Sequence, residues 1–515
     1  MSFDRWMLAA ACLAGGLAAL HFGFALEWDL LNYHFYNPHA LFTGRQAIDV
    51  VPAQLQSFLN PALYLPLYLL FKYLGPVAMV FIIGAIQAGQ LLLLVMILQQ
   101  LTGQRLTDRW ILLPVAALGL AGPVFLHQLG GTQGDTLLSL PVLAGFLLVA
   151  TDLSRADGAR TVQTGLMAGL LLGAAVAMKL TFAIYAVSVG LAAIVCFDGS
   201  RRWRMAFSLI LGGILGAALT GGAWFIHLWQ QYGNPLFPYF NDVFNSPYVN
   251  SEDFRDLRFM PRSMVEWLLY PLYWLQDPYR VWEWQFRDIR MLLVLALVFL
   301  MPVFTWRRMR GKAPALGFAW VFVGISYLLW LRLFSIYRYL SVIEMLAPVV
   351  IFASVFLLSR SRRVILVTLA VLLSTQFLVH YHRGDASWEF RPGTDTLLAA
   401  LPADAMVLIA SYEPVAYAAL WMSDEIPLVR TRANFMRTSQ PQHKLHEMAH
   451  FRVRQHSGPF YLLLSRQDVE AGFLQADLAE VGLALADEGV CKAAFESSEL
   501  QQKLGLEICP LERLP

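Results

Sequence analysis

Long apolar segments separated by arginine-rich loops constrain the fold of this 515-residue chain more than any other feature. A helix that spans a bilayer needs about 20 consecutive, mainly apolar residues. About eleven segments meet this requirement: 6–26, 77–100, 110–127, 135–152, 162–178, 181–197, 206–228, 291–306, 316–334, 341–358 and 364–381. Only 14% of the residues are charged, whereas soluble domains contain about 25%. The sequence therefore predicts an all-α, polytopic membrane domain over residues 1–381.

Basic residues indicate which loops face the cytoplasm, because Lys and Arg are retained on that side. They concentrate in alternate loops, as Arg5, Arg105 and Arg109, Arg155 and Arg160, Arg201, Arg202 and Arg204, Arg307, Arg308, Arg310 and Lys312, and Arg360, Arg362 and Arg363. This alternation predicts a cytoplasmic N-terminus, and the odd number of spans places the C-terminus outside. The long outer segments are 27–76, 229–290 and the C-terminal tail. An apolar stretch at 61–74 is too short to span and is predicted to lie at the membrane interface.

Strand and helix patterns alternate in the tail, residues 382–515. Short apolar runs at 406–411 and 460–464 predict buried strands. Apolar residues recur at helical spacing around 466–488. The tail is therefore predicted to be a small extracytoplasmic α/β domain with a structural or recognition role.

Cysteine usage and net charge limit the ligands of the chain. Cys491 and Cys509 lie in the tail, where an oxidising compartment permits a disulfide between them. The cysteine spacing indicates no zinc or iron–sulfur site. The net charge is only +2, and no stripe of Lys and Arg indicates a nucleic-acid partner.

Two acidic residues on the outer side are candidates for catalysis. Asp29 follows the first apolar segment, in the run Trp28-Asp29-Leu30-Leu31-Asn32-Tyr33-His34. A carboxylate at a membrane boundary, walled by aromatic side chains, can act as a general base. The alternatives are a solvated loop residue or the cap of a helix over 30–42. Asp135 follows a glycine-rich outer loop, and it either caps the next helix or supplies a second acidic group.

Cationic residues on the outer side run against the positive-inside bias and therefore require a reason. Lys179 lies between two apolar runs, where it either extends to the interface or contacts a phosphate. Arg338 lies in a very short outer loop. It either anchors the chain at the membrane interface or binds phosphate oxygens through its planar guanidinium group. Arg258 and Arg262 belong to a run of mixed charge that is either a solvated surface or a phosphate-binding lid. Chemistry on this face has no access to ATP, so a lipid-linked phosphate donor fits best.

Several short stretches resemble the C-type glycosyltransferases, which are multi-spanning enzymes that use polyprenyl-phosphate sugars. The resemblance covers the architecture of roughly residues 1–380 and includes segments similar to those of the protein mannosyltransferases and aminoarabinose transferases. It rests on Trp28-Asp29 at the outer end of the first helix, Asn60-Pro61-Ala62-Leu63-Tyr64, the stretches 70–75 and 169–181, and Arg338-Tyr339. The tail resembles no family.

The resemblance implies roles for individual residues of an inverting transferase. Asp29 matches the acidic base that receives the proton of the acceptor, and Asp135 matches the second acidic position. Lys179 and Arg338 become candidate ligands of the donor phosphate. The remaining candidate substrate-binding residues are Asn32, His34, Asn60, Tyr64 and Tyr339. The chain departs from the pattern at Asn60, where lipid-A-modifying relatives place a phosphate-binding Lys, so that role passes to Arg258 or Arg262.

The resulting hypothesis is a bacterial enzyme of the inner membrane that transfers a sugar from a polyprenyl-phosphate donor. The acceptor would be an envelope glycan, lipid or protein on the outer face, among the membrane lipids. A divalent cation is not favoured and no other cofactor is expected. The alternatives are an O-antigen polymerase or ligase, which would depend on outer Arg and His side chains, and a lipid or glycan flippase, which would carry polar residues in mid-helix. A catalytically inactive scaffold for the tail is a further alternative.

Overall fold

Two sets of chain segments make up the structure, which is a computed structural model. It describes residues 2–155, 158–383, 386–390, 396–436, 442–465, 474–486, 491–495 and 498–514. We call the first set the helical unit; it consists of Met1–Phe22, Val80–Gly222 and Arg255–Arg383. We call the second set the mixed unit; it consists of Gly23–Met79, Ala223–Phe254 and Gly384–Pro515.

Each segment predicted to span the membrane coincides with helical structure. The helices are Ser2–Phe22, Leu65–Ala88, Gln90–Leu101, Arg109–Gly119, Pro123–Gln128, Asp135–Leu153, Thr161–Met178, Ala183–Cys196, Gly199–Tyr232, Ile289–Lys312, Pro314–Leu333, Ser341–Leu358 and Arg362–Ser374. Among the described residues, seven helical segments are long and apolar enough to cross a membrane, and three further apolar helices are shorter. The chain is a multi-pass membrane protein, and the count of about eleven spans stays a prediction.

Helix Leu65–Ala88 contains a kink at Gly75, whose φ of 79° lies in the left-handed region that favours glycine. Pro76 follows immediately, and its missing N–H cannot continue the preceding helical ladder. The kink separates the segment from Leu65 onward from the segment that begins near residue 77. It falls at the predicted end of the stretch 61–74, so the backbone supports that boundary, while the interfacial location of the stretch stays a prediction.

Glycines allow two helices of the helical unit to pack with their backbones in contact. A Cβ atom built at Gly169 would lie 2.2 Å from the carbonyl oxygen of Leu209. A Cβ atom built at Gly173 would lie 2.0 Å from the carbonyl oxygen of Gly213. Small residues at four-residue spacing permit this close approach, which gains dispersion energy where no hydrophobic effect drives association.

We expect Gly173→Ala to lower the thermal stability of the purified protein, because the added methyl group forces two backbones apart. Overpacking of this kind costs about 1–3 kcal/mol. The matched control is Gly190→Ala, since a Cβ atom at Gly190 has no neighbour within 4 Å. Fluorescence-detected gel filtration after heating measures both variants. Equal melting temperatures for the two variants would contradict the proposed close packing.

A buried carboxylate in helix Ser341–Leu358 has a structural task. Glu344 is fully buried, and its carboxylate accepts hydrogen bonds from the backbone N–H groups of Val124 and Phe125, each at 3.1 Å. These N–H groups belong to the first turn of helix Pro123–Gln128 and have no partner within that helix. Glu344 therefore caps a short helix, which explains an acidic residue inside an otherwise apolar span.

Within its described residues, the tail forms a six-stranded sheet in the mixed unit. Its strands are β1 (Met406–Ala410), β2 (Leu428–Arg432), β3 (Phe460–Ser465), β4 (Leu483–Leu485), β5 (Lys492–Ala493) and β6 (Leu506–Arg513). The order is β2-β1-β3-β6-β4, with β5 also paired to β6. The β1 strand is parallel to β2 and β3, whereas β6 is antiparallel to its neighbours. The mixed unit also contains, in the part that the structure describes, the helices Tyr36–Thr43, Asn241–Phe244, Lys444–Gln455, Leu474–Glu480 and Ser498–Leu504.

The structure places the two strands predicted in the tail at β1 and β3. Part of the helical pattern predicted around 466–488 is wrong, because that helix ends and β4 begins within it. Gly482 has a φ of 75° and follows the helix, so the chain turns there and pairs with β6. Residues 466–473 and 487–488 of the predicted pattern lie outside the described residues.

The first outer segment joins the tail sheet within the mixed unit. The N–H of Val50 donates to the carbonyl of Leu428 at 3.0 Å, and the N–H of Arg430 donates to the carbonyl of Val50 at 3.0 Å. These two hydrogen bonds fix the segment after the first helix to residues far along the chain.

Cys491 and Cys509 form a disulfide that attaches the chain beside β5 to β6.

Candidate active site

Asp29 lies in the mixed unit, immediately before a π-helical turn at Leu30–His34. Its side chain is half-buried and makes no capping hydrogen bond to that turn. The alternative in which Asp29 caps the following helix is therefore wrong. Glu27 lies two residues earlier and is also buried. Sequence reasoning missed Glu27, although a second carboxylate beside Trp28 signals the same membrane boundary.

The polar residues that follow Asp29 are built into the fold. Asn32 is fully buried and donates from Nδ2 to the carbonyl of Ala53 at 3.1 Å. His34 is also fully buried, and its ring stacks on Tyr64 with the centroids 4.2 Å apart. The structure thus brings His34 and Tyr64 together, as packing partners. A contact of either residue with substrate stays a prediction.

Asn60 occupies the position at which the sequence departs from the lipid-A-modifying relatives. Its side-chain oxygen accepts a hydrogen bond from the N–H of Ala62 at 3.0 Å, which caps the short 3₁₀ helix Pro61–Leu63. Asn is well suited to this task because its amide oxygen reaches the orphan N–H two residues later. The structure therefore gives Asn60 a local structural role.

A buried ionic network supports the same segment. Arg45 and Asp49 form an ion pair at 3.0 Å, and the Tyr36 hydroxyl donates to Asp49 at 2.9 Å. Burial and then the charge of Asp49 raise the pKa of Tyr36 well above its usual value, so this hydroxyl keeps its proton. Burial lowers the pKa of His39 to about 4, so its 3.2 Å contact with Asp424 is made by a neutral imidazole at pH 7.

Asp135 and Lys179 lie in contact within the helical unit. The sequence patterns did not predict this ion pair. The Nζ atom of Lys179 lies 2.6 Å from Oδ1 of Asp135 and donates to the carbonyl of Gln133 at 3.1 Å. Gln128 donates to the other carboxylate oxygen at 2.9 Å. Gly134, and not Asp135, occupies the capping position of helix Asp135–Leu153, so the capping alternative is wrong for Asp135. The carboxylate instead neutralises and orients Lys179.

Tyr339 and Arg338 extend the group around Lys179. The Lys179 ammonium lies 5.5 Å from the centroid of the Tyr339 ring, within the range of a cation–π interaction. The Arg338 guanidinium lies 5.3 Å from the same centroid. Two cations therefore lie about one aromatic ring, and the carboxylate of Asp135 pairs with Lys179. We call Asp135, Lys179, Arg338 and Tyr339 the cationic cluster.

The loop that precedes Asp135 is held by groups that sequence reasoning missed. Arg383 donates to the carbonyls of Leu126 and Leu129, at 3.0 and 2.8 Å. The Nδ1 atom of His127 lies 2.6 Å from the carbonyl of His382. The sequence signal was an Arg and a His at the outer ends of predicted spans. These contacts fix the loop whose Gln133 carbonyl binds Lys179.

Arg258 and Arg262, the residues predicted to replace the missing Lys at position 60, lie on the second outer segment. Arg258 is 72% exposed and pairs with Asp256 at 2.6 Å. Arg262 is exposed, and its backbone N–H donates to the carboxylate of Glu266. Arg258 therefore belongs to a solvated surface of mixed charge. A phosphate contact stays a prediction for both arginines.

A further group of titratable residues lies in the tail, where sequence reasoning predicted no metal ligands. His446 and His450 lie on helix Lys444–Gln455, and Glu480 ends helix Leu474–Glu480. Their potential ligand atoms all lie within 4.8 Å of one another. Burial lowers the pKa of both histidines, so both are neutral at pH 7. The missed signal was His446-Glu447-Met448-Ala449-His450, which has the spacing His-Glu-x-x-His.

Comparison with protein families adds to this geometry. The model of Glycosyltransferase family 87 matches residues 58–335. This range contains Asp135, Lys179, Arg258 and Arg262. Asp29 precedes the range, and Arg338 follows it. No curated protein matches the chain.

Solved structures resemble the chain over nearly its whole length. ArnT from Cupriavidus metallidurans bound to undecaprenyl phosphate superposes with a TM-score of 0.53 at 12% identity, covering 98% of this chain and 97% of that chain. An oligosaccharyltransferase from Archaeoglobus fulgidus in complex with Zn and sulfate gives a TM-score of 0.45 at 11% identity, covering 91% and 69% of the two chains. At 12% identity, the similarity to ArnT shows a shared fold.

Proposed function

Because the chain belongs to glycosyltransferase family 87, a C-type family, we propose that it transfers a sugar from a polyprenyl-phosphate donor to an acceptor in the cell envelope. The family match over residues 58–335 is the observation that carries this proposal. It confirms the resemblance to C-type glycosyltransferases and makes the chain a membrane glycosyltransferase. The ArnT structure with the same fold holds undecaprenyl phosphate, which supports a lipid-linked donor here.

In the proposed reaction, the hydroxyl oxygen of the acceptor attacks the anomeric carbon of the sugar. The bond from that carbon to the phosphate oxygen breaks, and its electron pair leaves with the polyprenyl phosphate. The proton of the acceptor hydroxyl passes to the carboxylate of Asp29. Attack opposite to the leaving group inverts the anomeric configuration. The half-buried position of Asp29, between Trp28 and the π-helical turn Leu30–His34, supports its role as the base.

The cationic cluster is proposed to receive the donor phosphate. Departure of a lipid phosphate requires stabilisation of its negative charge, and oriented cations provide this most effectively where water is excluded. Lys179 is only 13% exposed, and the carboxylate of Asp135 fixes its position. Arg338 offers a planar set of donors beside it. Asp135 therefore acts as a positioning residue for Lys179.

We propose that the chemistry takes place on the outer face of a bacterial inner membrane. The arginines in alternate loops support a cytoplasmic N-terminus. The disulfide between Cys491 and Cys509 supports a tail outside the cytoplasm, because thiols inside are kept reduced. An acceptor glycan, lipid or protein would then meet the donor on that face. The proposed reaction uses no cofactor.

Mass spectrometry of envelope glycans and lipid-linked sugars tests this proposal in cells with and without the protein. We expect cells that lack it to accumulate one polyprenyl-phosphate sugar and to lose one glycosidic substituent of the envelope. Cells complemented with Asp29→Asn should show the same two changes. Unchanged lipid-linked sugars and unchanged glycans would contradict the proposal. Movement of a lipid-linked sugar across the membrane, with no glycosidic product, would indicate a flippase.

A further inference from the structure

The tail helix Lys444–Gln455 presents two histidines on one face. Its first turn is capped by His443, whose Nδ1 accepts a hydrogen bond from the N–H of His446 at 3.4 Å. Residues four apart lie one above the other on a helix, so His446 and His450 project together. Their ring centroids are 4.6 Å apart. The backbone thus orients two imidazoles toward the same volume.

A carboxylate from a second helix completes this group. The Oε1 atom of Glu480 lies 3.6 Å from Nε2 of His446 and 3.9 Å from Nε2 of His450. A tetrahedral zinc ion, with bonds of about 2.0–2.1 Å, holds its ligand atoms about 3.3–3.4 Å apart. The ligand atoms of the three residues lie within 4.8 Å of one another, so side-chain movements of about 1–1.5 Å would bring them to this spacing.

Neighbouring groups are already engaged and define the edges of the site. Asp477, one turn before Glu480, forms a bidentate ion pair with Arg432. The Nε2–H of His443 donates to the carbonyl of Phe435 at 3.0 Å, so both ring nitrogens of His443 are used. These two residues support the helices and do not compete as ligands.

The Nε2 atom of His450 provides an independent indication of a ligand. It is buried and has no hydrogen-bond partner within the part of the chain that the structure describes. A buried polar atom without a partner costs about 1–3 kcal/mol. Coordination to a cation would satisfy this atom, since a neutral imidazole binds a metal through its lone pair.

We propose that His446, His450 and Glu480 bind a divalent transition-metal ion, Zn²⁺ above all, with solvent as the fourth ligand. Two imidazoles and one carboxylate favour zinc, whereas Mg²⁺ and Ca²⁺ require sites made of oxygen atoms. The ion would tie helix Lys444–Gln455 to helix Leu474–Glu480 and stabilise the tail. The site is separate from the proposed transfer of sugar, and either proposal can fail alone.

Zinc binding to the full-length protein tests this inference. The protein is purified in detergent through an affinity tag without histidines, stripped with a chelator and exposed to Zn²⁺, Mg²⁺ or Ca²⁺. Mass spectrometry of the metals after gel filtration gives the stoichiometry, and competition with a fluorescent zinc chelator gives the affinity. We expect one Zn²⁺ per chain and no bound Mg²⁺ or Ca²⁺. His450→Ala and Glu480→Gln should each lower zinc affinity by at least about tenfold.

Two controls separate coordination from general effects of substitution. His456→Ala removes a histidine beyond the end of the same helix, and Glu447→Gln removes an exposed charge next to His446. Both variants should bind zinc as the wild type does. His446 is left unchanged because it is buried, whereas Glu480 is 24% exposed and tolerates substitution better. Absence of zinc from the wild type, or equal affinity in the double variant His450→Ala/Glu480→Gln, would overturn the proposal.

Discussion

Asp29→Asn should lower the turnover number of the purified enzyme by about 10²–10⁴-fold, the usual contribution of a general base. The amide keeps the size of the side chain but cannot accept the proton of the acceptor hydroxyl. Because the proposed donor phosphate contacts lie elsewhere in the chain, the KM for the donor should change little. The protein should remain monodisperse, since the amide fills the same volume as the carboxylate. Steady-state kinetics with the accumulating lipid-linked sugar measures the effect.

Two further carboxylates sharpen this comparison. Asp242→Asn removes an exposed charge from the second outer segment and should leave turnover unchanged. Glu27→Gln alters the buried carboxylate two residues before Asp29. If Glu27→Gln abolishes turnover and Asp29→Asn does not, the base has been assigned to the wrong residue. Normal turnover by both variants would show that neither carboxylate is the base.

Asp135→Asn should destabilise the helical unit by about 3–5 kcal/mol, because it leaves the charge of Lys179 without its carboxylate. The double variant Asp135→Asn/Lys179→Gln removes both charges and should be more stable than Asp135→Asn alone. Unfolding in mixed detergent micelles measures the free energies of four proteins: the wild type, Asp135→Asn, Lys179→Gln and the double variant. This double-mutant cycle gives the coupling between the two side chains. Strictly additive effects would show that the 2.6 Å contact contributes no pairwise free energy.

Kinetics of Lys179→Gln distinguish a structural pair from a phosphate ligand. If Lys179 binds the donor phosphate, this variant should raise the KM for the donor and slow departure of the lipid phosphate. If the pair is only structural, Asp135→Asn/Lys179→Gln should have normal kinetic constants once it is folded. Comparison of the two variants at matched folded fractions removes the effect of stability.

Hydropathy patterns predicted much of the fold because they report a local property, whereas the orientation predicted from the basic loops stays a prediction. The spans, β1, β3 and the boundary near Gly75 all follow from periodicity or from backbone preference within a few residues. Contacts between distant segments were not predictable in this way. The pairing of Asp135 with Lys179 and the capping of Val124 by Glu344 both depend on which helices become neighbours. Local patterns in a single sequence do not show which helices become neighbours.

The residues of the candidate site could be selected from local sequence patterns, but their contacts with one another could not. Placing Asp29 and Lys179 on the outer side required only topology, and the structure leaves those assignments open to test. Asn60 caps a 3₁₀ helix, and the burial of Asn32 and His34 arises from packing that local sequence does not show. The residues His446 and His450 were visible as a spaced pair, but Glu480 became relevant only when two helices met.

Transfer by the reconstituted protein tests the central claim most directly. The wild type is placed in lipid nanodiscs with the polyprenyl-phosphate sugar that accumulates in cells, labelled with ¹³C at its anomeric carbon, and with an envelope extract as acceptor. We predict release of one polyprenyl phosphate for each sugar transferred, and an inverted anomeric configuration by NMR. Transfer with retained configuration would contradict the proposed mechanism. A lipid donor that remains intact would contradict the proposed function.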